Sequence, residues 1–325
     1  MNVQPITIDE QKTFDGVSFP LVLAPEPGSS GELDDFVAWI SANAKELKAQ
    51  LREHGAILFR GCPLGSAEAF EAVLEAGDFE PMPYVGGAAP RTQVTAKRIL
   101  TANESPPSEP IPFHHEMAQV PKPPGYVFFY CDVAAERGGE TAIVLSNRVY
   151  KRFVEIDPDF ASEVERQGVR YVRVMPDQDD ATSPIGRSWR STFLTDDRAE
   201  AEAKMREIGT SWTWLDSGEL HTVTSVVPAI REDDRTGQKT FFNSMVAAYT
   251  GWVDSRNDPE RAVILGDGTP VSGDAIRKTA EAMTEECVAF PWQAGDLLFV
   301  DNRLVLHSRR PYEGARRILA SIALA

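Results

Sequence analysis

Cysteine and histidine are scarce in this chain of 325 residues, with 3 and 5 copies. Cys62, Cys131 and Cys287 are odd in number and widely spaced. That pattern argues against a disulfide framework or a zinc site, and reads as reduced, buried small hydrophobes in a cytoplasmic protein. Long apolar runs are absent too; none approaches the ~18 residues of a membrane span. Residues Met1 to Glu10 lack the basic and apolar regions of a secretory signal. Positive charge is in deficit, with 33 Lys and Arg against 49 Asp and Glu, a formal net charge of −16. Phosphate binding needs a basic footprint, so nucleic acid is not an expected partner, and the balance favours a free small molecule over an acidic carrier. Gly86-Gly87 and Gly266-Asp267-Gly268 read as turns, and neither fits a phosphate loop or a dinucleotide fingerprint.

What is present is enough apolar material, 42% of residues, for a large core in a single elaborated β domain. Phe36, Ile40, Leu47 and Leu51 place one apolar face on a helix from Leu33 to Glu53, which Gly55 ends. Ala56 to Phe59 reads as a buried strand. Ser66 caps a second helix carrying Phe70, Val73 and Leu74, closed by Gly77. Tyr126 to Val133 and Thr141 to Leu145 read as strands around a Gly138-Gly139 turn. Helical patterns follow around Val149 to Phe153, from Asp197 to Ile208, and from Asp274 to Glu286. No internal repeat or low-complexity linker interrupts the chain.

The segment Pro112-Phe113-His114-His115-Glu116 carries the first chemical signal. In extended backbone, side chains at i and i+2 leave the same face, so His114 and Glu116 can grip one ion while His115 points away. A His-x-acid match alone means little, because 5 × 49/325, or about 0.75, is expected by chance. A second constellation strengthens it. Gly295-Asp296 turns into the apolar run Leu297 to Val300, and His307 follows as a candidate third ligand. Two histidines and one carboxylate leave open positions that suit non-haem Fe(II) and O2. Ten residues beyond His307, Arg317 opens another apolar strand, where a buried guanidinium needs a carboxylate partner, from the protein or from a ligand.

These landmarks resemble, in order, the Fe(II)/2-oxoglutarate dioxygenases of the taurine dioxygenase and clavaminate synthase-like group. The resemblance runs from Glu53-His54-Gly55 through Arg60-Gly61, Phe113 to Met117, Pro123-Pro124 and Gly138 to Thr141, and closes on Asp301-Asn302, His307 and Arg316-Arg317. It implies a mainly β protein with flanking helices around a double-stranded β-helix, or jelly-roll, core. It makes His114, Glu116 and His307 the catalytic iron ligands, puts the Thr141 hydroxyl near the co-substrate, and makes Arg317 the clamp on the distal carboxylate of 2-oxoglutarate. Fe(II), 2-oxoglutarate and O2 are the implied cofactor and co-substrates. Two features depart from the taurine type: the carboxylate ligand is Glu rather than Asp, and Ser321 stands four residues beyond Arg317 where another Arg binds a sulfonate. The substrate implied is therefore an amino acid or derivative, free or carrier-tethered, hydroxylated or otherwise oxidised at a C–H bond in specialised metabolism.

The expected organisation is one domain over 1–325, with lid segments at 100–111, rich in proline, and at 175–222. Trp189, Trp212 and Trp214 in the second segment are expected in a core rather than a substrate cage. His54 is expected to be structural, and His221 has no partner pattern. The alternatives are a non-catalytic scaffold of the same fold and a zinc-dependent hydrolase, since zinc also accepts two His and one Glu. Arg317 would then lack a purpose.

Overall fold

The computed structural model describes residues 1–29 and 31–325. Its main layer is a seven-stranded sheet built from β1 (Val3–Ile6), β2 (Leu21–Pro25), β3 (Ala56–Phe59), β4 (Leu100–Thr101), β6 (Tyr126–Val133), β8 (Leu297–Asp301) and β10 (Arg317–Ala323). The spatial order is β1-β2-β3-β8-β6-β10-β4. A smaller sheet holds β5 (Ile111–His114), β7 (Ile143–Leu145) and β9 (Val305–Arg309), ordered β7-β9-β5. All these pairings are antiparallel except β2 with β3.

Alternation along β6 shows why its sequence is apolar throughout. Phe128 and Tyr130 join one cluster with Leu297, Phe299 and Leu319, whereas Val127, Phe129 and Cys131 join another with Leu298, Val300 and Ile318. A strand covered on both faces needs no polar positions. The first cluster is roofed by α1 (Leu33–His54) and α2 (Ala67–Ala76), whose buried stripes include Phe36, Ile40, Leu51, Phe70 and Leu74. Phe299 meets Phe59, Phe79 and Phe128 edge-on at 4.9–5.5 Å. Truncating it to alanine should cost ~3–5 kcal/mol. The second cluster also takes in Ile143 and Val305, so the two sheets share an apolar layer.

Gly55 ends α1 for two reasons. Its φ is +74°, and a Cβ there would lie 2.7 Å from Val305 Cγ2. Ser66 caps α2 by accepting from the Ala69 N–H. The three cysteines are buried and free. No helix among the described residues is long and apolar enough to cross a membrane.

The segment 175–222 is not a plain excursion. Its strands Ser211–Trp214 and Leu220–Val223 join Val169–Met175 and Val263–Leu265 in a four-stranded sheet. It has its own small core, in which Trp189 is fully buried and meets Trp214 edge-on, with Trp212 packed alongside. The proline-rich stretch is likewise not wholly irregular, because Leu100 and Thr101 pair with Ala320 and Leu319.

Candidate active site

Strand register assembles the centre. His114 ends β5 and is the direct cross-strand partner of His307 on β9, with ring centroids 4.3 Å apart. Glu116 lies just past the strand, in a turn completed by Met117 at φ +54°. The pair thus straddles a strand end rather than lying within one strand, yet the opposed facing of His114 and His115 holds. Donor atoms of His114, Glu116 and His307 all lie within 4.8 Å of one another. His115 instead is wholly buried. Its Nδ1–H donates to Asn302 O at 2.6 Å, its Nε2 accepts from Ser146 Oγ at 2.8 Å, and its ring stacks on Phe242.

The tautomer of His114 follows from its surroundings. Nδ1–H donates to Pro112 O at 2.9 Å, which frees the Nε2 lone pair for a ligand role. Burial, and then the neighbouring His307, pushes His114 down to about 4, so the ring is neutral at physiological pH. Burial would raise the Glu116 carboxyl, but Arg91 and the two imidazoles outweigh it and hold the group well below the usual carboxylate range. His307 Nε2 stands 3.6 Å from Glu116 Oε2, and His307 Nδ1 is buried without a hydrogen-bond partner. Two imidazoles and one buried carboxylate converging here are a donor set that fits Fe(II).

Asn302 positions Glu116. It follows Asp301 in the turn between β8 and β9, accepts from the Glu116 N–H at 2.8 Å, and donates to Glu116 O at 3.1 Å and Pro124 O at 2.8 Å. The same turn is held by Asp301, which receives two hydrogen bonds from Arg235. Asp301-Asn302 was visible as a landmark; its locking role needs the tertiary contact.

A cavity opens from the triad and is lined by Phe129, Thr141, Ser244, Trp252 and Ile318 among others. Thr141 is buried there, and its Oγ1 accepts from Trp292 Nε1 at 3.2 Å, which leaves its own proton to donate. Trp252, not the tryptophan group of 175–222, is the indole on the wall; that segment contributes Pro184 and Ile185. His221 is not on the cavity wall, and His54 bonds Ser18 O at 2.8 Å far along the chain.

Arg317 is not in the cavity. Its side chain is half exposed and its Nη1 donates to Asp132 Oδ2 at 2.7 Å. Arg316 lines the cavity instead. The reason is strand facing: Ile318 points into the cavity, so 316 shares its side and 317 takes the other. The ladder also shifts here, Arg317 pairing with Val133 and Ile318 with Cys131, which leaves Asp132 without a ladder partner beside Arg317. Arg316 Nε donates to Gly139 O at 3.0 Å, and Arg316 makes no ion pair among the described residues. Burial, then Arg309, lowers it to about 10, so it stays cationic near neutral pH. Gly139 has φ +72°, and a Cβ on it would come within 2.9 Å of Arg316 Cδ and Nε. Four residues beyond Arg316 is Ala320, buried in the sheet, so the sulfonate-binding Arg is missing in either register.

Two further arginines carry no sequence signal. Arg309 donates to Ser105 O, Pro106 O and Glu109 O at 2.5–2.9 Å, which pins the proline-rich stretch against β9. Arg91 places Nη2 3.0 and 2.9 Å from the two Glu116 oxygens and stacks on Tyr84 at 4.4 Å.

A mainly β core with this triad on the wall of a cavity fits a metal-dependent enzyme, and the comparisons give the class as dioxygenase. Residues 19–322 match the taurine catabolism dioxygenase TauD, TfdA family. A clavaminate synthase-like protein of Arabidopsis thaliana is 49% identical over 319 residues, 97% of this chain and 96% of that protein. The dapdiamide synthesis protein DdaC of Enterobacter agglomerans is 28% identical over 286 residues, 84% and 83% of the two chains. Among solved structures, PvcB from Pseudomonas aeruginosa superposes with a TM-score of 0.57 at 16% identity, over 99% of this chain and 91% of that chain. PvcB is an Fe, alpha-ketoglutarate dependent oxygenase from an isonitrile synthetic pathway. The chain belongs to the TauD/TfdA family of Fe(II)/2-oxoglutarate-dependent dioxygenases.

Proposed function

We propose that this dioxygenase oxidises a C–H bond of a small amino-acid-like molecule, with His114, Glu116 and His307 as iron ligands and Arg316 as the clamp on 2-oxoglutarate. The observation that carries the reading is the convergence of the three donors on a cavity that also holds a partly buried Arg316 with no ion pair among the described residues. Iron bound there, with 2-oxoglutarate and O2, supplies C–H oxidation coupled to decarboxylation of the 2-oxo acid to succinate. Asn302 fixes the Glu116 backbone, Pro112 O sets the His114 tautomer, and Thr141 offers its free hydroxyl proton to the co-substrate. Segments 100–111 and 175–222 act as lids of one domain over 1–325. They border the cavity through Ala102, Asn103, Pro110 and Ile111, and through Pro184 and Ile185.

The core is read as a double-stranded β-helix, supported by the two sheets that share an apolar layer. An amino-acid substrate and a role in specialised metabolism are supported by Glu116 as the ligand type and by relatives named for dapdiamide synthesis and an isonitrile pathway. Three free, buried cysteines favour a reducing, cytoplasmic setting. A zinc hydrolase or a silent scaffold would leave the Arg316 charge at the cavity without an ion-pair partner.

Anaerobic addition of Fe(II) and 2-oxoglutarate tests the reading. A weak visible charge-transfer band that needs both additions is expected, and succinate formation stimulated by an amino acid would follow in air. No band with either iron or co-substrate in excess would overturn it.

A further inference from the structure

The cavity is positive in a negative protein. Its charged lining residues are Arg91, Arg309, Arg316 and Glu116, three guanidiniums against one carboxylate, in a chain of net charge −16. On the reading above, the two charges of Fe(II) are offset by the two carboxylates of 2-oxoglutarate. The surplus therefore stands when both are bound. It can be assigned residue by residue. Both Nη atoms of Arg309 are taken by backbone carbonyls of residues 105–109, which leaves only its Nε unpartnered, and Arg316 serves the co-substrate. Arg91 is what remains.

Arg91 is built to receive an anion. Its side chain is only 5% exposed, and only Nη2 has hydrogen-bond acceptors, the two oxygens of Glu116. Nε and Nη1 are buried with no partner among the described residues. A buried cation with two orphaned N–H groups is costly unless something accepts from them. The fork is held in place, because the guanidinium lies on the Tyr84 ring, which Arg187 covers at 4.8 Å. Glu116 takes only Nη2, so the Nε–H and Nη1–H groups stay free. A carboxylate has about four lone-pair sites, enough to accept from Nη2 and still serve a metal.

We propose that Arg91 binds the carboxylate of the substrate, so that the enzyme takes small molecules with a free carboxyl group rather than amino acids already joined to a carrier through that carboxyl. A carboxylate oxygen can accept from the unpartnered Nε–H or Nη1–H, a charge-assisted hydrogen bond. Binding it beside Glu116 places the rest of the molecule next to the triad. This inference rests on the dioxygenase reading and refines its substrate class.

The test uses the wild-type enzyme with Fe(II) and 2-oxoglutarate under anaerobic conditions, and follows the charge-transfer band. The probes are the standard L-amino acids and the matching amides, in which the carboxylate is replaced by a neutral group. At least one acid should perturb the band, and its amide should need at least about 30-fold more for the same effect. Because Arg91 also contacts Glu116, Fe(II) is raised to saturation for Arg91→Gln; the band and its 2-oxoglutarate dependence should then be present, with a loss of at least about 30-fold in response to the acid and an unchanged response to the amide. Acid and amide acting alike would overturn the proposal, as would an undiminished acid response in Arg91→Gln. So would a band that no acid perturbs. A raised 2-oxoglutarate constant in Arg91→Gln, with acid binding intact, would assign the guanidinium to the co-substrate instead. Absence of the band in the wild type strikes the dioxygenase reading itself, which separates the two failures.

Discussion

His307 stands directly opposite His114 in an antiparallel ladder, so backbone pairing rather than a loop sets the distance between the two imidazoles. Truncating either ring leaves that pairing intact. His114→Ala and His307→Ala should keep the far-UV circular dichroism of the wild type and bind metal about 100-fold more weakly or worse, since even changes outside a ligand set cost 10–100-fold. Calorimetric titration with Mn(II) reads the loss. Wild-type affinity in either variant removes that histidine from the ligand set.

Asn302 makes three buried hydrogen bonds, two of them to the backbone of Glu116. Asn302→Ala orphans the Glu116 N–H and two carbonyls, which should cost about 3 kcal/mol in urea unfolding. Metal affinity should fall about 10-fold or more because the carboxylate loses its anchor. Lost stability with unchanged metal affinity would make Asn302 a packing residue only.

Arg316 and Arg317 are neighbours with opposite fates. Removing a buried guanidinium from a carboxylate costs on the order of 2–5 kcal/mol, or roughly 30-fold to several thousand-fold in binding. Arg316→Ala should therefore raise the apparent 2-oxoglutarate constant at least 30-fold. Arg317→Ala removes a half-exposed ion pair with Asp132 and should change it less than about 2-fold, as surface pairs contribute little. The reverse ranking in steady-state succinate assays would return the clamp to Arg317.

Gly139 is the surface against which Arg316 rests. Gly139→Ala puts a methyl group within 2.9 Å of Arg316 Cδ and Nε at a φ that disfavours side chains. The variant should weaken 2-oxoglutarate binding while leaving Mn(II) affinity near the wild-type value. Parallel titrations with the two ligands distinguish this from general unfolding, which would lower both.

Arg309 holds residues 105–109 by their carbonyls. Arg309→Met should raise amide exchange across the non-proline residues of 103–111 and increase the substrate constant, if this stretch closes the cavity. Unchanged exchange there would show that the stretch is held by other contacts.

The parts of this structure that were legible in the sequence are those in which a local period meets one buried face. Phe36, Ile40, Leu47 and Leu51 announced α1, and the i, i+2 rule separated His115 from its neighbours even though the strand stops at His114. Arg316 was not legible, because residues 318–323 are buried on both faces and give no alternation from which to tell which side meets the cavity. Arg91 was silent for another reason: its partner lies 25 residues away in the chain, across a segment with no period, and only tertiary folding brings them together. Inside 175–222 the helix Arg198–Glu207 was legible, whereas the strands escaped notice because each is only four residues long.

The grip of Arg309 on the proline-rich stretch has an evolutionary consequence. Carbonyl oxygens are the same whatever side chain accompanies them, so the guanidinium reads the path of the chain and not its spelling. Substitutions among residues 105–109 leave those acceptors where they are, whereas a single inserted or deleted residue moves all of them. The loop that joins the cavity-lining residues 102–103 and 110–112 is thus free to drift in composition, while its length is held constant by one arginine on the neighbouring strand.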